Sequence, residues 1–169
     1  DVKATQAQVE HVVAGGASGV VPVGGTGEYA ALSQAERVAM VEATVAAAKG
    51  RVPVIAGVLS PGLRDCIGAG RDFIKAGASG VMLIAPYYIT PTQEGIRDYF
   101  KAYADAIGGP TMLYEIPYRT GIALKPETIA KIADDGSAVG MKSSNPDMTA
   151  FARTLALAGD KMNITSGEE

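Results

Sequence analysis

The chain has very few of the side chains from which metal and redox sites are built. Its 169 residues include one cysteine, Cys66, one histidine, His11, and no tryptophan. A single cysteine excludes an internal disulfide and a cysteine-based metal cluster, and one histidine cannot supply a multi-histidine metal site. We expect Cys66 to be a small, partly buried side chain, and we give His11, in a predicted surface helix, no catalytic role.

Long apolar runs and an excess of positive charge are also missing. No apolar run approaches the roughly 18 residues that a membrane-spanning helix needs. The net charge of -3 and the scattered basic residues argue against a nucleic-acid partner. Hydrophobic residues make up 47% and charged residues 20% of the chain, which is typical of a folded globular protein. We therefore expect one cytoplasmic domain over residues 1–169, with no membrane and no nucleic acid as a partner.

What the chain does have is a regular alternation of apolar, β-branched segments with helical patterns. Helices are predicted at residues 5–14, 34–48, 63–76, 92–106, 126–134 and 148–157. The spacing of roughly 25 to 32 residues between strand starts is the length of one βα unit. It predicts a parallel sheet, either in a closed (β/α)8 barrel or in an open doubly wound sheet. The predicted strands are Gly19–Val23, Val52–Gly57, Gly80–Ala85, Thr111–Ile116, Ser137–Lys142 and Met162–Thr165.

The two ends of the pattern help to judge whether the sheet belongs to a closed barrel or to an open sheet. The pattern begins with a helix and ends directly after a strand. A full barrel takes about 250 residues. We therefore expect an interior portion of a longer βα array, incomplete at both ends.

Lys142 is the most informative side chain, because it ends a predicted buried strand. An ammonium in such a place loses hydration, which disfavours its charged form. A neutral amine there is a nucleophile suited to a Schiff base with a carbonyl substrate. A lysine at a strand end can also extend to solvent, and the segment alone leaves both interpretations open.

Other unusual residues also follow the ends of predicted strands. In either α/β architecture the active site lies at the carboxyl ends of the strands. This convergence indicates an enzyme. The segments concerned are Gly24-Gly25-Thr26-Gly27-Glu28, Leu59-Ser60-Pro61-Gly62, Pro86-Tyr87-Tyr88, Tyr114 with residues 117–121, Lys142, and Ser166-Gly167-Glu168.

Several of these residues allow more than one interpretation. The loop Gly24–Gly27 exposes backbone N–H groups that suit a carboxylate or phosphate, although a glycine turn can also serve packing alone. Residues Gly25–Ala30 match a dinucleotide fingerprint, but the next predicted strand lacks the acidic residue that a ribose requires. The Tyr114 phenol can pass protons or simply pack. The Arg119 guanidinium suits a substrate carboxylate or can be solvated.

Taken together, the motifs resemble the dihydrodipicolinate synthase/N-acetylneuraminate lyase family. The resemblance covers nearly the whole chain and implies a (β/α)8 TIM barrel of which strands 2–7 are present here. It also implies a homotetramer built as a dimer of dimers. The matching segments are Gly24-Gly25-Thr26-Gly27-Glu28, Pro86-Tyr87-Tyr88, Tyr114 to Gly121, Gly140-Met141-Lys142 and Ser166-Gly167-Glu168.

The resemblance implies a Schiff-base reaction. Lys142 would bond the keto carbon of pyruvate or a related 2-oxo acid, and the resulting enamine would react with an aldehyde or arise from a sugar acid. Tyr114 would carry protons to and from the developing hydroxyls. Because the iminium is itself the electron sink, no metal and no organic cofactor is expected.

The resemblance also assigns residues to substrate binding. The backbone of Gly25 and Thr26 would hold the pyruvate carboxylate. Arg119 would lie near the carboxylate of the second substrate. Tyr88 would complete the proton relay of a neighbouring subunit, although an aromatic pair such as Tyr87-Tyr88 also suits a subunit interface.

Three positions depart from the family pattern. Gly25 stands where synthases carry a threonine and lyases a serine, so the relay lacks a hydroxyl. Glu115 replaces the usual asparagine and adds an acid near the site, and Ser143 replaces a common acidic residue. The roles of Glu115 and Glu168 stay open.

The departures leave several functions to compare. A synthase-like condensation of pyruvate with aspartate semialdehyde is the best single expectation, and Arg119-Thr120-Gly121 favours it. A keto-deoxy sugar-acid lyase or dehydratase of the same family is the alternative that Gly25 favours. A non-catalytic barrel that binds a small anion is the alternative of another class.

Overall fold

The structure, a computed structural model, describes residues 1–167. The strands are β1 Ile55–Val58, β2 Gly80–Ile84, β3 Thr111–Glu115, β4 Gly140–Ser143 and β5 Asn163–Ser166. The helices are α1 Val2–Ala14, α2 Gln34–Ala48, α3 Leu63–Lys75, α4 Gln93–Ile107, α5 Pro117–Thr120, α6 Pro126–Asp134 and α7 Met148–Ala158, with a short 3-10 helix at Tyr29–Ala31. Glu168, whose role the sequence left open, lies outside the described residues.

The five strands form one parallel sheet in which the spatial order follows the chain order, β1-β2-β3-β4-β5. Right-handed crossovers that always step in the same direction place all their helices on one face of the sheet. A doubly wound sheet instead reverses direction at a switch point. The order is therefore that of a (β/α)8 barrel, as predicted, and the open doubly wound alternative is wrong.

Alternate strand residues separate into an outer and an inner cluster. On the outer face, Leu83, Leu113 and Met141 pack with side chains of the helices, including Phe73 and Tyr103. The inner cluster consists of Met82, Ile84, Tyr114 and Ile116. The inner face is therefore the one on which a barrel would hold its site residues.

The structure corrects one strand prediction, that of a first strand at Gly19–Val23. It makes only one isolated bridge, between Val20 and Val54, so the range expected to hold strands 2–7 contains five strands and this bridge. Two local features account for the difference. Pro22 has no N–H to donate to a ladder, and Val23 turns the backbone with a φ of 49°.

Local signals set the helix boundaries. Helix α2 begins with a capping box in which Ser33 Oγ accepts from Glu36 N and the Glu36 carboxylate accepts from Ser33 N at 2.8 Å. Helix α6 begins at Pro126, where its missing N–H is harmless. The short α5 was not predicted. No helix within residues 1–167 is long and apolar enough to cross a membrane.

Helices α3 and α4 pack so closely at Gly70 that a side chain there would collide. A Cβ on Gly70 would meet the Tyr103 hydroxyl and lie 3.0 Å from its Cζ. Tyr103 is fully buried, and its hydroxyl has no hydrogen-bond partner within the described part of the chain. Gly68, on the same helix, has nothing within 4 Å of its Cβ position.

This contrast provides a matched test. Gly70→Ala is expected to lower the free energy of unfolding by about 1–3 kcal/mol, because it overpacks a rigid interface. Gly68→Ala should raise it by up to about 1 kcal/mol through helix propensity. Tyr103→Phe should recover part of the Gly70→Ala loss. Urea unfolding measures all three, and equal midpoints for the two alanine variants would contradict the packing.

Candidate active site

Lys142 and Tyr114 lie side by side on the inner face of the sheet. They are register partners on β4 and β3, and Lys142 Nζ is 4.8 Å from the centroid of the Tyr114 ring. Lys142 is half-buried and Tyr114 is 6% exposed. The structure therefore brings the two predicted catalytic side chains together, at the carboxyl ends of their strands.

The end of β5 packs directly against the Lys142 side chain. Gly167 N donates to Ser143 O at 2.6 Å, and a Cβ on Gly167 would lie 2.6 Å from Lys142 Cε. A larger residue at this position would force the Lys142 side chain to shift. The sequence signal for this contact was the Ser166-Gly167-Glu168 turn, of which Glu168 lies outside the described residues.

A cavity of about 460 Å³ opens at the carboxyl ends of β2 and β3. It brings three predicted site residues together, Gly25, Tyr114 and Arg119. Lys142 stands on the next strand, beside Tyr114. The cavity is lined by Gly25, Glu28, Tyr29, Ala30, Ala31, Leu59, Ile84, Tyr87, Tyr114, Ile116, Arg119 and Thr120.

The glycine loop presents backbone donors beside this cavity. Glu28 N donates to Gly25 O at 3.1 Å and Tyr29 N to Gly24 O at 3.3 Å, which closes the turn. Gly25 and Thr26 are exposed, and within residues 1–167 their N–H groups donate to no protein acceptor. These two N–H groups suit a carboxylate.

Gly57 is a residue of this site that sequence reasoning missed. A Cβ on Gly57 would lie 2.6 Å from Val23 O and 2.9 Å from Gly24 Cα. The glycine loop can therefore rest on β1 only because Gly57 has no side chain. A glycine inside a strand pattern was the available signal.

Tyr29 forms a fixed part of the cavity wall. Its hydroxyl is 2.9 Å from Ser60 Oγ, and the Arg37 guanidinium lies over its ring at 3.7 Å from the centroid. Behind it, Cys66 Sγ donates to Ser60 O at 3.1 Å, and burial raises the pKa of the Cys66 thiol. Cys66 is therefore a buried packing residue, and a poor nucleophile.

Arg119 stands at the mouth of the cavity on α5. The helix is tied by Thr120, whose Oγ1 donates to Ile116 O at 3.1 Å, and ends at Gly121 with a φ of 72°. The guanidinium is exposed, 5.8 Å from the Tyr118 ring. It can reach an anionic group of a molecule that enters the cavity.

Tyr88 and Glu115 lie apart from this cavity, and Thr26 and Lys142 stand next to residues that line it without lining it themselves. Tyr88 is 97% exposed, with a φ of 74°, and its neighbour Tyr87 lines the cavity instead and donates to Leu59 O at 2.9 Å. Glu115, the added acid expected near the site, does not line the cavity and instead accepts hydrogen bonds from Leu124, Asn145 and Ser143. Within residues 1–167, no group of three or more His, Cys, Asp or Glu residues is placed to hold a metal ion.

The chain is similar to curated enzymes over its whole length. A 4-hydroxy-tetrahydrodipicolinate synthase from Sorangium cellulosum is 42% identical over 170 residues, which is 100% of this chain and 56% of that protein. The corresponding enzyme from Pelobacter propionicus is 36% identical and is covered to 58%. The chain thus spans somewhat more than half the length of the curated relatives it matches.

Solved structures that resemble this chain are also dihydrodipicolinate synthases. A monomeric dihydrodipicolinate synthase variant superposes with a TM-score of 0.96 at 31% identity, covering 100% of this chain and 58% of that one. The pyruvate complex of the Acinetobacter baumannii enzyme gives 0.95 at 33% identity, covering 99% and 57%. The sequence profile of the dihydrodipicolinate synthetase family matches residues 1–169. The chain therefore belongs to the dihydrodipicolinate synthetase family.

Proposed function

We propose that the protein is a Schiff-base-forming enzyme that uses pyruvate or a related 2-oxo acid. The observation that carries the proposal is the pairing of Lys142 with Tyr114 at the carboxyl ends of adjacent strands. The names of the curated relatives, and the pyruvate bound in the Acinetobacter baumannii structure, support it.

The chemistry follows from an amine beside a phenol. The Lys142 amine attacks the keto carbon of pyruvate, and loss of water gives an iminium. The iminium draws electrons as the neighbouring methyl loses a proton, which yields an enamine. The enamine carbon then attacks the aldehyde carbon of the second substrate, which regenerates the iminium, and water or the amine of the second substrate cleaves this iminium to free Lys142. Tyr114, next to the amine, moves protons to and from the oxygens on which charge develops.

Two groups position the substrates in this scheme. The N–H groups of Gly25 and Thr26 hold the pyruvate carboxylate, and Arg119 at the mouth holds a carboxylate of the second substrate. A small aldehyde that carries its own carboxylate fits this arrangement. Condensation of pyruvate with aspartate semialdehyde is therefore the reaction we favour, and we assign the protein to the carbon–carbon or carbon–oxygen lyases.

One observation favours a second candidate. A Cβ placed on Gly25 would have nothing within 4 Å, so the cavity wall has open space where a side chain would stand. This space suits a longer, hydroxylated 2-oxo acid. The second candidate is therefore a keto-deoxy sugar-acid lyase or dehydratase that uses the same Lys142 chemistry.

Assembly and localisation remain predictions. We infer a cytoplasmic homotetramer built as a dimer of dimers, in which the exposed Tyr88 reaches a neighbouring subunit. Size-exclusion chromatography with light scattering tests the assembly. The similarity to a monomeric variant shows that the tertiary fold of that protein does not require four subunits.

The first test concerns Lys142. Borohydride reduction of the full-length protein with pyruvate should give a stable adduct that peptide mapping places on Lys142. Lys142→Arg should give no adduct and lose activity by several orders of magnitude, because a guanidinium does not form the imine. Lys131→Arg, an exposed change on α6, should leave the adduct intact.

The outcomes separate the enzyme from a binding protein. A folded wild-type protein that gives no adduct with pyruvate or with other 2-oxo acids would reject the proposed function. Binding of pyruvate that survives in both wild type and Lys142→Arg, without an adduct in either, would instead support the non-catalytic anion-binding barrel.

A second test separates the two reactions. Gly25→Thr fits the open space and places a hydroxyl in the cavity wall. It should maintain or raise kcat for pyruvate with aspartate semialdehyde. For a six-carbon 2-keto-3-deoxy sugar acid it should lower kcat/KM by about 10-fold or more, because the side chain takes up room. Loss of the condensation with unchanged sugar-acid turnover would favour the second candidate.

A further inference from the structure

Glu115 is a buried carboxylate that the proposed mechanism does not use. It is 2% exposed and lies on β3 directly after Tyr114, pointing to the outer face. Its Oε1 accepts from Leu124 N at 3.1 Å and from Asn145 Nδ2 at 3.1 Å, and its Oε2 accepts from Ser143 Oγ at 3.3 Å. One side chain therefore satisfies three donors.

The three donors come from two stretches of the chain, one at Leu124 and one at Ser143 and Asn145. Leu124 lies in the connection between α5 and α6, Ser143 lies on β4, and Asn145 lies in the loop that follows β4. The backbone adds a fourth tie, because Ser144 N donates to Glu115 O at 2.8 Å. Glu115 thus joins the strand that carries Tyr114 to the segments on either side of the site.

The position of Glu115 mirrors that of the reactive pair. Glu115 and Ser143 are register partners, as are Tyr114 and Lys142 one residue earlier. Successive strand residues point to opposite faces. The hydrogen bond between Glu115 and Ser143 therefore lies on the outer face directly behind the Tyr114–Lys142 pair.

Burial of the Glu115 carboxylate costs folding free energy, so stability does not explain why this residue is charged. Burial raises the pKa of Glu115, and the hydrogen bonds from Leu124, Asn145 and Ser143 oppose the rise without cancelling it. These three donors are neutral, and within residues 1–167 the carboxylate forms no salt bridge. Ionisable groups kept at such a cost are concentrated at functional sites.

We propose that Glu115 is a positioning residue, which fixes the end of β4 and the α5–α6 connection so that Lys142 meets Tyr114 and Arg119 in a reactive geometry. The carboxylate holds Ser143 next to Lys142 on one side. It holds Leu124, a few residues beyond Arg119, on the other. This inference rests on the proposed function.

The test compares two variants in the full-length protein. Glu115→Gln keeps one oxygen for Leu124 N and Asn145, and its amide can donate to the Ser143 hydroxyl, so kcat should stay within about 3-fold of wild type. Glu115→Met fills the same volume but removes the acceptor from two buried donors, Leu124 N and Ser143 Oγ, and from the half-buried Asn145 amide. Its kcat should fall about 100-fold, the size expected for a misplaced reactive group, with a smaller change in KM for pyruvate.

A matched control separates positioning from general loss of stability. Phe73→Leu weakens the fully buried core on α3, away from the Glu115 contacts, and should leave kcat unchanged at full folding. If Phe73→Leu lowers kcat as much as Glu115→Met does, or if folded Glu115→Met keeps wild-type kcat, the positioning role is overturned.

A second readout does not depend on pyruvate chemistry. Labelling of Lys142 by acetic anhydride, followed by peptide mapping, reports the environment of the amine directly, and its rate should change in Glu115→Met but not in Glu115→Gln or Phe73→Leu. A wild-type protein without a pyruvate adduct rejects the proposed function. An unchanged labelling rate in Glu115→Met rejects the positioning role.

The raised pKa predicts a specific dependence of stability on pH. A carboxyl whose pKa is higher in the folded state stabilises the fold fully only below its unfolded value. Its contribution is lost as the pH rises through the folded value. Glu115→Gln does not titrate, so wild type should lose stability relative to this variant over the pH range that begins at the ordinary pKa of a glutamate and continues upward. Urea unfolding across that range measures the difference, and a constant difference would contradict the buried charge.

Discussion

The pairing of β3 with β4 is the constraint on which the site depends. In a parallel sheet the register decides which side chains become neighbours, and successive residues point to opposite faces. One register therefore sets two contacts at once. It places Lys142 beside Tyr114 on the inner face, and Ser143 beside Glu115 on the outer face. A shift of this pairing by one residue would exchange the faces and separate the amine from the phenol.

Close backbone approach at glycines is the second requirement. Gly57 lets the glycine loop lie against β1, and Gly167 leaves space for the stem of Lys142. Both residues act by the absence of a side chain. The loop can then hold its exposed N–H groups at the rim of the cavity. Lys142 stays half-buried on the inner face of the sheet. The glycine loop is thus accessible to an anion, and the segment after β5 covers part of the Lys142 side chain.

Local patterns accounted for most of the architecture. Helices α2 and α6 have the bounds that the sequence predicted, because the capping box at Ser33 and the proline at Pro126 are local signals. The strand prediction failed at Gly19–Val23, where an apolar, β-branched composition suggested a strand but Pro22 and the turn at Val23 allow only one bridge. Composition reports a preference for extended backbone, whereas a ladder also requires donors and a regular path.

The sequence by itself determined the βα repeat and the set of polar residues that follow the strands, because hydrophobic period and turn chemistry are local properties. Only the tertiary structure decided which of those residues share a face. The hydrogen-bond partners of Glu115 show this, because Ser143 lies far along the chain and Leu124 is separated from Glu115 by α5. Contacts between segments depend on register and crossover geometry, which no local pattern specifies.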